Sequence, residues 1–278
     1  FKMFDNNIAH EITLQDALEE DLLCPFHHFG ISDFEAVYEN DNVLEAAEVE
    51  NSYSSDIIDF RLFSKVDNEK RIDYIIQQAE YYGYSGNRVK GLAFCTTKEE
   101  AHSLSYLFNQ RGYDTAVLTG DDSMDRRFEL IDKLVSKDIY NKLDYIFTVD
   151  IFNEGVDIPE VNQVLMLRPT ESPTIFIQQL GRGIRKARRK EFTVIIDFIG
   201  NYNNNYMIPI ALFGDRSYNK DNLRRGMTEA TRTIPGCSSV SFDEISKKRI
   251  FEAVDNANFS EIRLIKENYF QLKQKLGR

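Results

Sequence analysis

The chain is short of cysteine, has no apolar run long enough to cross a bilayer, and contains no Gly-Lys dipeptide. Each shortage excludes something. Three cysteines, Cys24, Cys95 and Cys237, are odd in number and widely spaced, which argues against a disulfide framework and fits a reducing, cytoplasmic setting. A zinc site at Cys24-Pro25-Phe26-His27-His28 would need a second ligand pair at similar spacing, and the other two cysteines have no such neighbour. No metal site is expected; the segment reads as a turn packing aromatics, with Phe26 and Phe29 as anchors. Without a long apolar run, no membrane-spanning helix is expected. Without Gly-Lys, a phosphate-cradling Gly-x-x-x-x-Gly-Lys-[Ser/Thr] loop is ruled out within these residues. The N-terminus, Phe1-Lys2-Met3-Phe4-Asp5, has neither the basic stretch nor the apolar core of a signal peptide. Starting on Phe, the chain is expected to be part of a longer polypeptide.

What is present is ordinary in bulk and uneven in detail. Apolar residues make up 42% of the 278 residues and charged ones 28%, as in a globular protein with a substantial core. The net charge of −11 would discourage nucleic-acid binding if it were spread evenly. Residues 1–60, however, carry fifteen Asp and Glu against one Lys, so the remaining residues carry 33 basic and 30 acidic side chains. Affinity for phosphates depends on local patches, and the total charge therefore excludes nothing.

Three stretches follow from the patterning. Residues 1–64 read as an acidic connecting region, with a short helix capped by Thr13 and Asp16 and loop or short strand from Glu35 to Asp59. A helix is predicted from about Asn68 to Tyr82, striped by Ile72, Ile75, Ile76 and Ala79 and stopped by Gly83. Strands and helices then alternate. Strands are predicted at Lys90–Cys95, Thr115–Leu118, Leu143–Val149, Gln163–Leu167 and Phe192–Phe198. One helix, opened by Thr97 and Glu100, turns Ala101, Leu104, Leu107 and Phe108 inward. Another, capped by Ser123, carries Phe128, Ile131 and Leu134. This spacing predicts an α/β domain, residues 65–200, with a parallel sheet covered by helices on both faces. Beyond Asn201-Tyr202-Asn203-Asn204-Asn205, residues 201–278 read as a mainly helical C-terminal extension. Its last helix has a seam of Ile262, Ile265, Tyr269, Leu272 and Leu276 that packs on the domain or on a neighbour.

The strongest chemical signal is Gln178-Gln179-Leu180-Gly181-Arg182-Gly183-Ile184-Arg185. Ser172 and Pro173 suit an N-cap and first helical residue, and a helix from there would put Gln178, Arg182 and Arg185 on one face. Gly181 would let a backbone or phosphate come close. Two arginines on one face suit an anionic centre with charge spread over several oxygens. Because Lys186, Arg188, Arg189 and Lys190 follow directly, spacing alone leaves a surface basic patch equally open.

The motifs in order decide between them. Gln-x-x-Gly-Arg-x-x-Arg is motif VI of superfamily 2 DEAD/DEAH-type helicases. Glu154-Gly155-Val156-Asp157-Ile158-Pro159 resembles their motif V, and Leu92-Ala93-Phe94-Cys95-Thr96 resembles motif IV. Leu118-Thr119-Gly120 with Arg127 resembles the motif between IV and V. Together they cover residues 88–200 and imply a RecA-like second motor lobe. The flanks Ile12-Thr13-Leu14-Gln15-Asp16-Ala17, Leu22–Phe26, Ile196–Tyr202 and Leu212–Ser217 resemble the bacterial group around the restriction-enzyme type III subunit.

The resemblance implies roles. Arg182 and Arg185 would reach the γ-phosphate of ATP across an interlobe cleft, Arg185 as the arginine finger, with Gln178 orienting phosphate or water. Asp157 would accept from the ribose hydroxyls, Gly155 permitting the turn before it; a plain turn residue ahead of Pro159 is the other reading of Asp157. ATP and Mg2+ would be held mainly by a first RecA-like lobe, the expected partner in the same polypeptide. The other partner would be nucleic acid, DNA ahead of RNA. Alone, the fragment is expected to be inactive. A non-catalytic RecA-like module binding nucleic acid or protein is the alternative function.

One departure concerns motif V. Where many members carry Thr-Asp, this chain has Val149-Asp150 with Thr148 one residue earlier, and a one-residue slip reverses the face of a strand side chain. Thr148 therefore cannot simply inherit the backbone contact, which Thr96, Thr97 and Thr119 could also make. Asp243-Glu244-Ile245-Ser246 imitates the acidic magnesium motif but lies after motif VI. It reads as a helix start, with Ser241 and Glu244 as capping box.

Overall fold

Alternation of side chains along each strand builds the core on both faces of one sheet. The computed structural model describes residues 13–34, 60–138, 140–149, 158–170, 172–200, 202–215, 217–235, 237–257 and 259. In chain order the elements are α1 (Leu14–Glu19), β1 (Phe26–Ser32), α2 (Phe60–Tyr82), β2 (Gly91–Phe94), α3 (Lys98–Gln110), β3 (Thr115–Leu118) and α4 (Met124–Val135). Then come β4 (Tyr145–Thr148), β5 (Gln163–Met166), α5 (Pro173–Gly183), β6 (Thr193–Ile199), α6 (Met207–Phe213), α7 (Lys220–Thr233), β7 (Ser239–Phe242) and α8 (Glu244–Asn256). The seven strands run in the order β3-β4-β2-β5-β6-β1-β7, and all six pairings are parallel. This is the parallel α/β sheet that the alternating pattern predicts.

Leu92 and Phe94 of β2, Ile146 of β4, Val164 and Met166 of β5, and Ile195 of β6 face one side, where α1 and α4 to α8 pack. Ala93, Tyr145, Phe147, Leu165, Val194 and Ile196 face the other, against α2 and α3. Strands covered on both faces read as continuous apolar runs, which made them visible in the sequence. The caps also form where expected. Thr13 and Asp16 make a reciprocal box on α1, Ser123 caps α4, and Gly83 ends α2 with φ +66°. On α3 the Thr97 hydroxyl accepts from Glu100 N–H, while the Glu100 carboxylate takes the N–H of Thr96 instead of Thr97.

Several local expectations are corrected. Cys24–Phe29 is no aromatic turn: Phe26–Ser32 is β1, inserted between β6 and β7. Its His and Gly content hid it, yet its alternate residues Phe26, His28, Gly30 and Ser32 are all buried. The C-terminal extension likewise contributes β7 to the sheet edge. Asp243, not Ser241, caps α8, accepting from Ser246 N–H at 2.6 Å. The same carboxylate holds Ser32 N–H at 2.7 Å, so it secures helix and strand together. Phe128 points outward at 57% exposure, and Leu130 takes the inner position of α4 with Leu134. Helix α2 begins eight residues before the predicted Asn68. The Glu35–Asp59 stretch and the Ile262–Leu276 helix lie outside the described residues. No helix among the described residues is long and apolar enough to cross a membrane.

Candidate functional site

Helix α5 starts at Pro173, with Ser172 O accepting from Phe176 N–H at 3.0 Å. Proline at the first helical position removes an N–H that no helical carbonyl would receive. Phe176, Leu180 and Ile184 are buried and lay α5 on the sheet beside β5. Gln178 is exposed on the opposite side, and Gly181 is half-buried. A Cβ placed on Gly181 would meet nothing within 4 Å, whereas one on Gly183 would come within 2.7 Å of Val164 Cγ2. The close approach in this stretch is therefore made by Gly183, against the Val164 side chain, and Gly181 faces open space.

The shared face of Gln178, Arg182 and Arg185 is corrected in part. Gln178 and Arg182 lie one turn apart on α5, the Arg182 side chain being outside the described set. Arg185 lies two residues beyond the helix end. The cause is a set of competing partners for the last carbonyls. Gly183 O accepts from Thr193 Oγ1 at 2.6 Å and Lys190 Nζ at 2.6 Å. Ile184 O accepts from Cys24 N–H at 2.7 Å, and Arg185 O from Lys190 Nζ at 2.7 Å. A helix C-terminus leaves such carbonyls without helical donors and concentrates partial negative charge there, so an ammonium is well placed. Arg185 thus has an exposed side chain on a secured backbone.

Beneath α5 lies a contact absent from the sequence reading. Gln179 is 2% exposed and Arg168 7%. With the amide oriented to satisfy both partners, the Gln179 carbonyl oxygen accepts from Arg168 Nη2 at 2.8 Å and Nε at 3.3 Å. The available signal was α5's own period: Gln179 sits one step from exposed Gln178, on the side of Phe176 and Leu180.

The threonine candidates gather at one edge of the sheet, because Phe94, Thr148 and Leu118 end three adjacent strands in register. Thr96 and Thr97 follow β2 and are exposed; the Thr97 hydroxyl is engaged as the cap of α3. Thr119 is buried, its N–H and hydroxyl both donating to Asp122 Oδ2, at 2.6 and 3.2 Å. Arg127 closes the same loop through the carbonyls of Asp122 and Gly120, each at 3.2 Å. Thr148 is fully buried, and its hydroxyl has no hydrogen-bond partner among the described residues. Gly155 and Asp157 lie outside the described residues; Ile158, directly after them, is buried.

Arg71 joins the edge through Glu100 at 3.0 Å and Asp33 at 3.6 Å. Burial pushes the Cys95 thiol well up, with the Glu100 charge adding to it. Burial likewise raises the Cys24 thiol, so neither is a ready nucleophile.

The model of the "Helicase conserved C-terminal domain" family matches residues 70–187. The Saccharomyces cerevisiae protein named "Putative ATP-dependent helicase IRC3" is 32% identical over 162 residues, covering 57% of this chain and 23% of that protein. The "ATP-dependent RNA helicase DBP2" of Encephalitozoon cuniculi is 24% identical over 152 residues, covering 55% of this chain and 26% of its own length. Among solved structures, the "ATP-dependent Type ISP restriction-modification enzyme LlaBIII bound to DNA" superposes with a TM-score of 0.52 at 19% identity. It covers 87% of this chain and 17% of that one. The chain spans about a quarter of the length of these two curated relatives. Residues 70–187 thus resemble a helicase conserved C-terminal domain, and the parallel sheet shares its fold with the superposed restriction-modification enzyme.

Proposed function

We propose that this chain is the second motor lobe of an ATP-dependent superfamily 2 helicase or translocase, and that Arg185 is its arginine finger. The observation that carries the reading is the exposed Arg185 side chain on a backbone whose three successive carbonyls, from Gly183 to Arg185, are each held. An arginine serves a developing phosphoryl charge best when its anchor needs no rearrangement at the moment of reaction. Gln178, exposed one turn before Arg182, and Gly181, facing open space, supply a polar group and clearance on the same helix.

These residues fit one side of a nucleotide site. Guanidinium groups and an amide can meet the γ-phosphate, and Asp157 after Gly155 would take the ribose. The chain offers no Gly-Lys loop to cradle the phosphates, so ATP and Mg2+ would be bound chiefly by a first lobe of the same polypeptide. Bound there, Mg2+ would neutralise charge on the phosphate oxygens. This chain would contribute the arginines that act on the transferring group and close the cleft.

The names of the relatives divide between RNA helicase and DNA-bound restriction enzyme. The substrate proposed is a nucleic-acid strand held through its phosphates, with DNA the first to test. Exposed Thr96 and Thr97 are the contacts best placed for it; Thr119 and Thr148 would need their surroundings to open.

The test is turnover by the purified chain. With ATP, Mg2+ and DNA or RNA, it is expected to hydrolyse ATP at the background rate. Robust, magnesium-dependent hydrolysis by these residues alone would overturn the assignment of a shared site.

A further inference from the structure

Lys190 belongs by sequence to the basic run Lys186, Arg188, Arg189 and Lys190, and nothing in that run distinguishes it. In the structure it is half-buried and its ammonium donates to three backbone carbonyls: Pro159 O at 2.8 Å, Gly183 O at 2.6 Å and Arg185 O at 2.7 Å. Two of these flank the end of α5. The third belongs to Pro159, the last residue of the motif Glu154–Pro159 in the sequence. One ammonium therefore ties Pro159 to the backbone that carries Arg185.

We propose that Lys190 is the positioning residue for Arg185, fixing the backbone that carries the arginine against Pro159. The proposal rests on the reading of Arg185 as the arginine finger. An ammonium suits the place because three convergent carbonyls, two of them at the negative end of α5, favour a compact cation with three donors. Other donors hold the neighbouring backbone from the sheet side: Thr193 Oγ1 on Gly183 O and Cys24 N–H on Ile184 O. Arg185 O and Pro159 O are the carbonyls that Lys190 brings together. Without it, the Ile184 carbonyl keeps its donor from Cys24, while the bridge between Arg185 O and Pro159 O is lost. A displacement of about 1 Å at a group that must meet a transition state lowers the rate by up to about 100-fold.

The experiment uses the full-length protein with Lys190→Met, which keeps the length of the stem and removes every donor, and with Lys190→Arg, which keeps charge and donors. Four quantities are read: kcat for ATP, the Kd of a fluorescent ATP analogue, the melting temperature, and backbone amide exchange over residues 180–187. Lys190→Met is expected to lower kcat about 10- to 100-fold with an unchanged Kd, and to speed exchange in that segment. Lys190→Arg is expected to recover part of kcat. In an Arg185→Ala background, Lys190→Met is expected to produce no further loss. If Lys190→Met does not fold, Lys190→Arg in the two backgrounds carries the same comparison, a smaller loss that vanishes with Arg185. Wild-type kcat in Lys190→Met beside an inactive Arg185→Ala would overturn the positioning role and leave the arginine finger standing. So would an equal loss with and without Arg185. Wild-type kcat in Arg185→Ala itself would sink the finger, and this inference with it.

Discussion

Arg168 and Gln179 join the end of β5 to the underside of α5, Arg168 Nη2 donating to the amide oxygen at 2.8 Å inside the protein. Their neighbours in sequence face the other way: Gln178 is exposed while Gln179 is buried. A single helical step separates a group available to ligand from one that fixes the helix to the sheet.

Replacing Gln179 with Leu keeps the volume and removes the acceptor. A buried guanidinium that loses an acceptor costs about 1–3 kcal/mol, and the chain should melt at lower temperature by a corresponding amount. Gln178→Leu, at an exposed site, should leave the melt within about 0.5 kcal/mol of wild type. Equal effects of the two substitutions in a urea titration would contradict the assignment of the two glutamines.

Gly181 and Gly183 should respond to alanine with opposite sign. Gly183→Ala brings a methyl to 2.7 Å from Val164 Cγ2, and overpacking of this kind costs about 1–3 kcal/mol. Gly181→Ala meets nothing and should gain about 0.5–1 kcal/mol from helix propensity. The same Gly181→Ala change, in the full-length protein, should lower ATP turnover if the open space above it admits phosphate. Stability is read by thermal melts and turnover by phosphate release.

The three cysteines should label unequally. Cys237 is exposed, while Cys24 and Cys95 are buried, and burial raises both of their thiols. A raised thiol pKa keeps the reactive thiolate scarce until pH is well above the ordinary cysteine range. Labelling of the folded chain should stop at one equivalent, and raising the pH from 7 to 9 should not recruit Cys95. Mass spectrometry of the labelled protein reads this directly, and rapid modification of Cys95 at pH 9 would contradict its placement.

Nucleic-acid affinity of the chain alone should be weak and steeply salt-dependent, since phosphate contacts dominate it. A titration by fluorescence anisotropy at several salt concentrations measures the slope. Tight binding insensitive to salt would favour a dedicated binding module over half of a motor.

The central strands, the caps at Thr13 and Ser123, and the start of α5 at Pro173 were legible because local chemistry alone specifies them. β1 was not: Phe26-His27-His28-Phe29-Gly30 lacks β-branched residues, and its place between β6 and β7 is set by partners some 170 and 210 residues away. Phe128 was misjudged because α4 lies along the sheet on Leu130 and Leu134, a rotation that helical period alone does not fix. Motif VI could be found from its letters, but the end of α5 at Gly183 depends on Thr193, Cys24 and Lys190, which arrive from three different places in the chain. Lys190 was indistinguishable from its basic neighbours for the same reason. Its role exists only where Pro159, Gly183 and Arg185 converge.

The most direct measurement of the central claim is single-turnover hydrolysis of ATP by the full-length protein with Arg185→Ala, beside a titration of ATP binding. A lost arginine finger should slow the chemical step by about 1,000-fold or more while the Kd for ATP stays within a few-fold of wild type. Hydrolysis at the wild-type rate, with ATP binding intact, would contradict it.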